Sequence, residues 1–247
     1  MSQYAFFFDQ SRCYDCKACA VACKSWNGLE PGPEKWLRVF EWEEGAFPHT
    51  RLKALFAPCY HCENPACKDA CPEEAIFKED VYGAVLVDVD RCSGCRSCLD
   101  ACAFGAPQFA SASPKERIGK CTMCIDRLAE DLMPLCVLSC PLRALDFGPL
   151  ETMIEKYGAV RSLPEMPESE SLLPSIVFKP QAKHETLVAY DAQRAFELLG
   201  MRGDLPAVYD ITAGGFDSGQ DIVGRPSLNM KPKSDEEFIR LTQNDEG

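Results

Sequence analysis

The chain has 247 residues, 46% of them hydrophobic, which suffices for one large or two small domains with a buried core. A formal net charge of −12 excludes a nucleic-acid binder, since neutralising phosphates requires clustered Lys and Arg. Sixteen cysteines against three histidines is the abnormal count, and disulfides, structural zinc and iron-sulfur clusters each predict a different spacing for them.

In chain order, Met1 to Gln10 is Phe-rich, with Tyr4 to Phe8 predicted as a strand. It carries no basic leader region, twin arginine or small-residue cleavage site, so export would depend on a partner. A membrane-associated or extracytoplasmic complex reached by co-export and a cytoplasmic one both stay open. The first cysteine quartet follows: Cys13, Cys16, Cys19 and Cys23. Residues 24–58 contain Gly28, Pro31, Gly32 and Pro33 and then the mixed run Lys35 to Glu44, which predicts an insertion with a small β element, either a contact surface or a packed surface loop. A strand over Leu52 to Ala57 leads into the second quartet, Cys59, Cys62, Cys67 and Cys71. Another over Val85 to Val89 leads into the third, Cys92, Cys95, Cys98 and Cys102, and the fourth is Cys121, Cys124, Cys136 and Cys140. The repeated unit is a strand, a cysteine loop and a short helix.

All sixteen cysteines lie between Cys13 and Cys140, and the stretch 150–247 reads as a cysteine-free C-terminal extension. Pro149 sits at a helix start, Met153, Ile154 and Tyr157 share a face, and Gly158 closes the helix. The Pro-rich run from Leu163 to Pro174 predicts an extended surface segment. Asp191 caps a second helix over Ala192 to Leu199 that Gly200 ends, and the last residues are polar. No apolar run reaches the roughly 18 to 20 residues needed to cross a bilayer; Val85 to Val89 and Leu135 to Leu138 are core-sized, so no direct membrane insertion is expected.

The spacing decides among the three chemistries. Quartets one and three read C-x2-C-x2-C-x3-C, quartet two C-x2-C-x4-C-x3-C, and quartet four C-x2-C-x11-C-x3-C. A tight triplet turns three sulfurs toward one cubane, and in two-cluster bacterial ferredoxins the fourth cysteine serves the other cluster. Those ferredoxins place a proline after it. Pro72 and Pro141 keep that residue, whereas Lys24 and Ala103 replace it. Zinc sites usually present separated C-x2-C pairs, and cysteines two apart in a tight loop are badly placed to bridge each other, so both alternatives fit poorly. Lys17, Lys24, Lys68, Arg91, Arg96, Lys120 and Arg127 stand beside ligands, where a cation favours the thiolate; each alone is equally well read as a solvated surface charge. His61, between Cys59 and Cys62, is a candidate hydrogen-bond donor to cluster sulfur, while His49 and His184 have no metal-like neighbours. There is no phosphate-binding Gly-rich loop, no Ser-His-Asp or Cys-His pattern and no spare cysteine nucleophile, so no catalytic residue is assigned.

Four quartets in this order, with the long gap inside the fourth, resemble the iron-sulfur subunit of the dimethyl sulfoxide reductase family of molybdenum enzymes. Ala57-Pro58-Cys59-Tyr60-His61-Cys62-Glu63-Asn64-Pro65 and Lys120-Cys121-Thr122-Met123-Cys124-Ile125-Asp126-Arg127 carry the likeness most specifically, within about Tyr4 to Phe147. The resemblance implies an α+β fold of two ferredoxin-like halves within residues 1–149, quartets one and four forming one half and two and three the other. An inserted loop region and a largely irregular C-terminal extension, a candidate for partner contact, would complete it. It implies four 4Fe-4S clusters: Cys13, Cys16, Cys19 and Cys140 on the first; Cys121, Cys124, Cys136 and Cys23 on the second; Cys59, Cys62, Cys67 and Cys102 on the third; Cys92, Cys95, Cys98 and Cys71 on the fourth. Spacing alone also permits pairing between neighbouring quartets. The family role is a non-catalytic electron carrier between a molybdenum or tungsten bis-pterin catalytic subunit and a redox partner, often a membrane anchor subunit. A free-standing polyferredoxin and a metal-stabilised interaction module are the competing readings.

Overall fold

The computed structural model describes residues 2–45, 50–113 and 115–182. The expected helix over Ala192 to Leu199, and His49 and His184, lie outside them. Strand β1 (Tyr4–Asp9) is the centre of a three-stranded sheet. It pairs antiparallel with β6 (Leu145–Pro149), Phe6 opposite Phe147, and parallel with β7 (Ile176–Lys179), Phe7 opposite Val177. Five consecutive β1 residues, Ala5 to Asp9, are buried, because both faces of the strand are covered. Phe6 and Phe8 pack into the main core with Phe56, Phe147 and Phe178, while Ala5 and Phe7 meet Leu150 and Met153 of helix α6 (Leu150–Tyr157), whose Tyr157 stacks on Phe7.

Neither β6 nor β7 was legible in the sequence. Leu145-Asp146-Phe147-Gly148-Pro149 contains a Gly and a Pro, both poor strand residues, and holds its place by pairing with β1. Strand β7 lies beyond the expected boundary at 149/150, yet forms one side of the sheet, so chain continuity and packing do not divide there. Between α6 and β7 the Pro-rich run is irregular apart from a 3-10 turn at Glu170–Leu172, and it buries Leu163 and Met166 against the core.

The remaining elements come in hairpins and short helices. In the insertion, β2 (Arg38–Glu44) pairs antiparallel with β3 (Arg51–Ala57), the strand that leads into quartet two. Leu37, Val39, Trp42, Leu55 and Phe56 are buried, and the buried Arg38 guanidinium donates to the carbonyls of Phe104 and Gly105 at 2.9 and 2.8 Å. Of the two readings of this segment, the structure has the packed one. A second hairpin joins β4 (Ile76–Lys78) to β5 (Val85–Val87); the strand expected over Val85 to Val89 ends two residues early, with Val89 exposed.

These contacts arrange the quartets in two pairs. Strand β1 enters quartet one and its partner β6 leaves quartet four. Helix α1 (Ala18–Trp26), which carries Cys19 and Cys23, packs on α5 (Leu135–Leu138), which carries Cys136. In the same way β4 leaves quartet two and β5 enters quartet three, and α2 (Ala66–Asp69) with Cys67 packs on α3 (Ser97–Ala101) with Cys98. The last helix, α4 (Ile125–Leu128), follows Cys124.

Candidate metal centres

Each cysteine loop is built on a backbone turn that few residue types favour. The residue before the second cysteine is left-handed in all four quartets: Asp15 (φ 62°), His61 (φ 45°), Gly94 (φ 77°) and Met123 (φ 60°). Only one of the four is glycine, so the other three hold a conformation that costs an L-residue free energy and is sustained by the surrounding contacts. Lys17, Arg96 and Cys124 are left-handed as well and stand at the starts of α1, α3 and α4, turning the chain from loop into helix.

All sixteen cysteines are free thiols. Cys13, Cys16, Cys19 and Cys140 line one recess with Phe8 and Phe56, and Cys71, Cys92, Cys95 and Cys98 line another with Phe109 and Ile118. Two deeper groups have no open mouth of this kind. Burial, and then the neighbouring Cys59, Cys102 and Cys67, push the Cys62 thiol up. Burial, followed by Cys121, Cys124, Cys23 and Cys19, raises Cys136 well above the ordinary thiol range. Cys13 is pushed up to about 11, and Cys19, Cys23, Cys67 and Cys98 to about 12, by burial first. In the iron-free fold these thiols therefore carry protons at neutral pH, which metal capture has to displace.

Among the described residues no three His, Cys, Asp or Glu side chains close on one point as a single metal ion needs. The thiols border apolar recesses instead, and three of the fourth cysteines receive a backbone N–H. Ala75 donates to Cys71 Sγ at 3.3 Å, Ala106 to Cys102 Sγ at 3.4 Å, and Ala144 to Cys140 Sγ at 3.2 Å. Four thiols around an apolar recess with N–H donors aimed at sulfur are the donor set that a 4Fe-4S cluster takes. The sequence reading missed these donors, although their signal, C-x3-A after the fourth cysteine, is present three times.

The cations beside the ligands differ sharply. Of the seven, only Lys120 is buried; its Nζ donates to the carbonyls of Val85 and of Cys121, the latter at 3.0 Å. Lys17 pairs with Asp15 at 3.5 Å, and Arg127 stacks over the Trp26 ring. Asp15, on the first recess, is pushed up to about 7 by burial and by Glu41, with Lys17 pulling the other way. His61 is wholly buried, and its Nδ1 accepts the Val85 N–H at 2.9 Å. Burial, then Lys120 and Lys78, keep the ring neutral, with its pKa well below the ordinary histidine value.

A cysteine-loop body of this kind is that of a 4Fe-4S protein, and a family model described as a 4Fe-4S dicluster domain matches residues 51–150, which hold quartets two, three and four. The iron-sulfur subunit of anaerobic dimethyl sulfoxide reductase from Escherichia coli K12 is 42% identical over 189 residues, 73% of this chain and 90% of that protein. A sulfite dehydrogenase subunit of Allochromatium vinosum is 34% identical over 192 residues, 67% of this chain and 79% of the other. The nitrate-inducible formate dehydrogenase iron-sulfur subunit of E. coli K12 is 32% identical over 169 residues, 62% of this chain and 57% of that one. The chain belongs to the family of iron-sulfur subunits of dimethyl sulfoxide reductase-type oxidoreductases, as its quartets suggested. It is accordingly an electron-transfer subunit, with the reaction performed by another polypeptide of the complex.

Proposed function

We propose that this chain holds four 4Fe-4S clusters in series and relays electrons between a molybdenum or tungsten pterin catalytic subunit and a second redox partner, a quinone-linked membrane subunit or a soluble carrier. Cys13, Cys16, Cys19 and Cys140 hold the first cluster, and Cys23, Cys121, Cys124 and Cys136 the second. Cys59, Cys62, Cys67 and Cys102 hold the third, and Cys71, Cys92, Cys95 and Cys98 the fourth. Bound there, such clusters supply one-electron carriers whose potentials respond to hydrogen bonds and burial.

One observation carries the reading: the thiol groups neighbour one another in a single succession. Cys136 of the second group has Cys19 of the first among its neighbours, Cys121 has Cys59 of the third, and Cys67 has Cys98 of the fourth. The two exposed cysteines, Cys16 and Cys95, belong to the first and last groups, while Cys121, Cys124 and Cys136 in between are buried. A succession that surfaces at both ends suits a subunit placed between two partners. The protein's own work is to fix the thiols, exclude water from the middle groups and present the two ends. We assign partner contact to the cysteine-free stretch beyond 149, anchored on the body by α6 and β7. Among the described residues no helix is long and apolar enough to cross a membrane, so attachment to one would pass through a partner.

Anaerobic purification of the native protein with its partners tests this. The expected result is a complex containing molybdenum or tungsten, with about sixteen irons on this subunit and four separate EPR-active one-electron transitions. A lone 27.4 kDa species with full iron content would favour a free shuttle, and zinc in place of iron would overturn the proposal.

A further inference from the structure

Three of the four quartets satisfy their last cysteine through the backbone, and the geometry that allows it is specific. The residue three positions on is left-handed, Glu74 (φ 48°), Gly105 (φ 58°) and Arg143 (φ 53°), and this turn swings the next N–H onto sulfur. Quartet one is built otherwise. Cys23 lies inside α1, which continues to Trp26, and the backbone N–H of Asn27 is used by the helical ladder, donating to the Cys23 carbonyl at 3.1 Å. No backbone donor is left at that position for the Cys23 sulfur. The side chain of Asn27 stands there instead: its Nδ2 donates to the same carbonyl at 2.8 Å and lies 3.6 Å from Cys23 Sγ. Cys23 is buried, so water does not readily replace this donor.

We propose that the Asn27 carboxamide is a potential-setting residue for the cluster bound by Cys23, supplying through a side chain the N–H to sulfur that the peptide backbone supplies at Cys71, Cys102 and Cys140. The inference rests on the ligand assignment above, which gives that cluster Cys121, Cys124 and Cys136 as its other ligands. A thiolate is a stronger acceptor than a thiol, and reduction adds a further negative charge to the centre. A donor on the sulfur therefore favours the reduced form, and its removal lowers the reduction potential. The other three donors are main-chain groups that no substitution deletes without moving the chain, whereas Asn27 is open to change alone.

The test is an EPR-monitored redox titration of the purified full-length subunit or its complex, comparing Asn27→Leu, which keeps the bulk and loses the donor, with Asn27→Asp. With Leu, one midpoint potential is expected to fall so that the reduced-to-oxidised ratio at fixed ambient potential drops about tenfold, about 59 mV for a one-electron couple. Asp, which replaces the donor by a negative group, should lower the same potential further. All four potentials unmoved at full iron content, or all four moved together, would overturn the proposal. Combining Asn27→Leu with Cys121→Ser separates it from the ligand assignment. If the shifted signal is the one that Cys121→Ser abolishes, both stand; if a shifted signal survives Cys121→Ser, the assignment fails and the donor role remains. A variant that loses iron is judged instead in Asn27→Ser, whose hydroxyl is too short to reach the sulfur; an unshifted potential there overturns the proposal.

Discussion

Two cysteines of the third quartet, four residues apart, face different groups, and exchanging their partners by mutation measures the crossing directly. Cys102 is wholly buried, and Cys59 is a charged neighbour of it; Cys62 in turn has Cys59, Cys102 and Cys67 around it. Cys98 has Cys92, Cys95 and Cys71. Serine lacks the thiolate that binds iron at neutral pH. If Cys62 and Cys102 bind one cluster, the double variant Cys62→Ser/Cys102→Ser loses no more than Cys102→Ser does, up to about four irons of about sixteen. Cys98→Ser/Cys102→Ser strikes two clusters and loses up to about eight. The first pair is thus strongly non-additive and the second additive, as read by iron and acid-labile sulfide analysis with EPR spin counting on anaerobic protein. The opposite pattern, about eight irons from the first pair and about four from the second, would mean that each quartet binds its own cluster and would refute the crossed arrangement.

Two other outcomes are expected. Burial raises the Cys13 thiol to about 11 and those of Cys19, Cys23, Cys67 and Cys98 to about 12, so iron capture must release protons. Reconstitution should become more complete between about pH 7 and about pH 9 and release about four protons per cluster, and a pH-stat trace without proton release would contradict this. In the iron-free fold the same raised values contribute stability that is present below the unfolded thiol value near 9 and is lost as pH rises through 11 to 12. Phe56 is 1% exposed, packs between Phe6 and Phe8 at ring distances of 5.6 and 6.1 Å, and borders the first recess. Phe56→Ala should cost about 3–5 kcal/mol and hasten loss of the nearest cluster, checked by guanidinium unfolding followed through cluster absorbance; a change below about 1 kcal/mol would show that the core does not depend on that ring.

The cysteine register carried nearly all of the chemistry that the sequence by itself determined. A C-x2-C-x2-C loop has few ways to turn, so spacing implied clusters before any tertiary contact was known. The strand before each of the first three quartets was legible too, because Tyr4 to Phe8, Leu52 to Ala57 and Val85 to Val87 are β-branched or aromatic runs that end at a turn. The tertiary structure decided what depends on distant partners. Strands β6 and β7 have weak or short patterns of their own and exist because β1 offers both edges, so the chain beyond Pro149 joins the core rather than leaving it. Lys120 looks like the other six cations in the sequence, yet it alone is buried, because its carbonyl acceptors at Val85 and Cys121 are brought together only by folding. The donors to the fourth sulfurs were invisible for the same reason. A backbone N–H has no letter of its own, and only the left-handed turn at Glu74, Gly105 or Arg143, or the continued helix at Asn27, decides where it points.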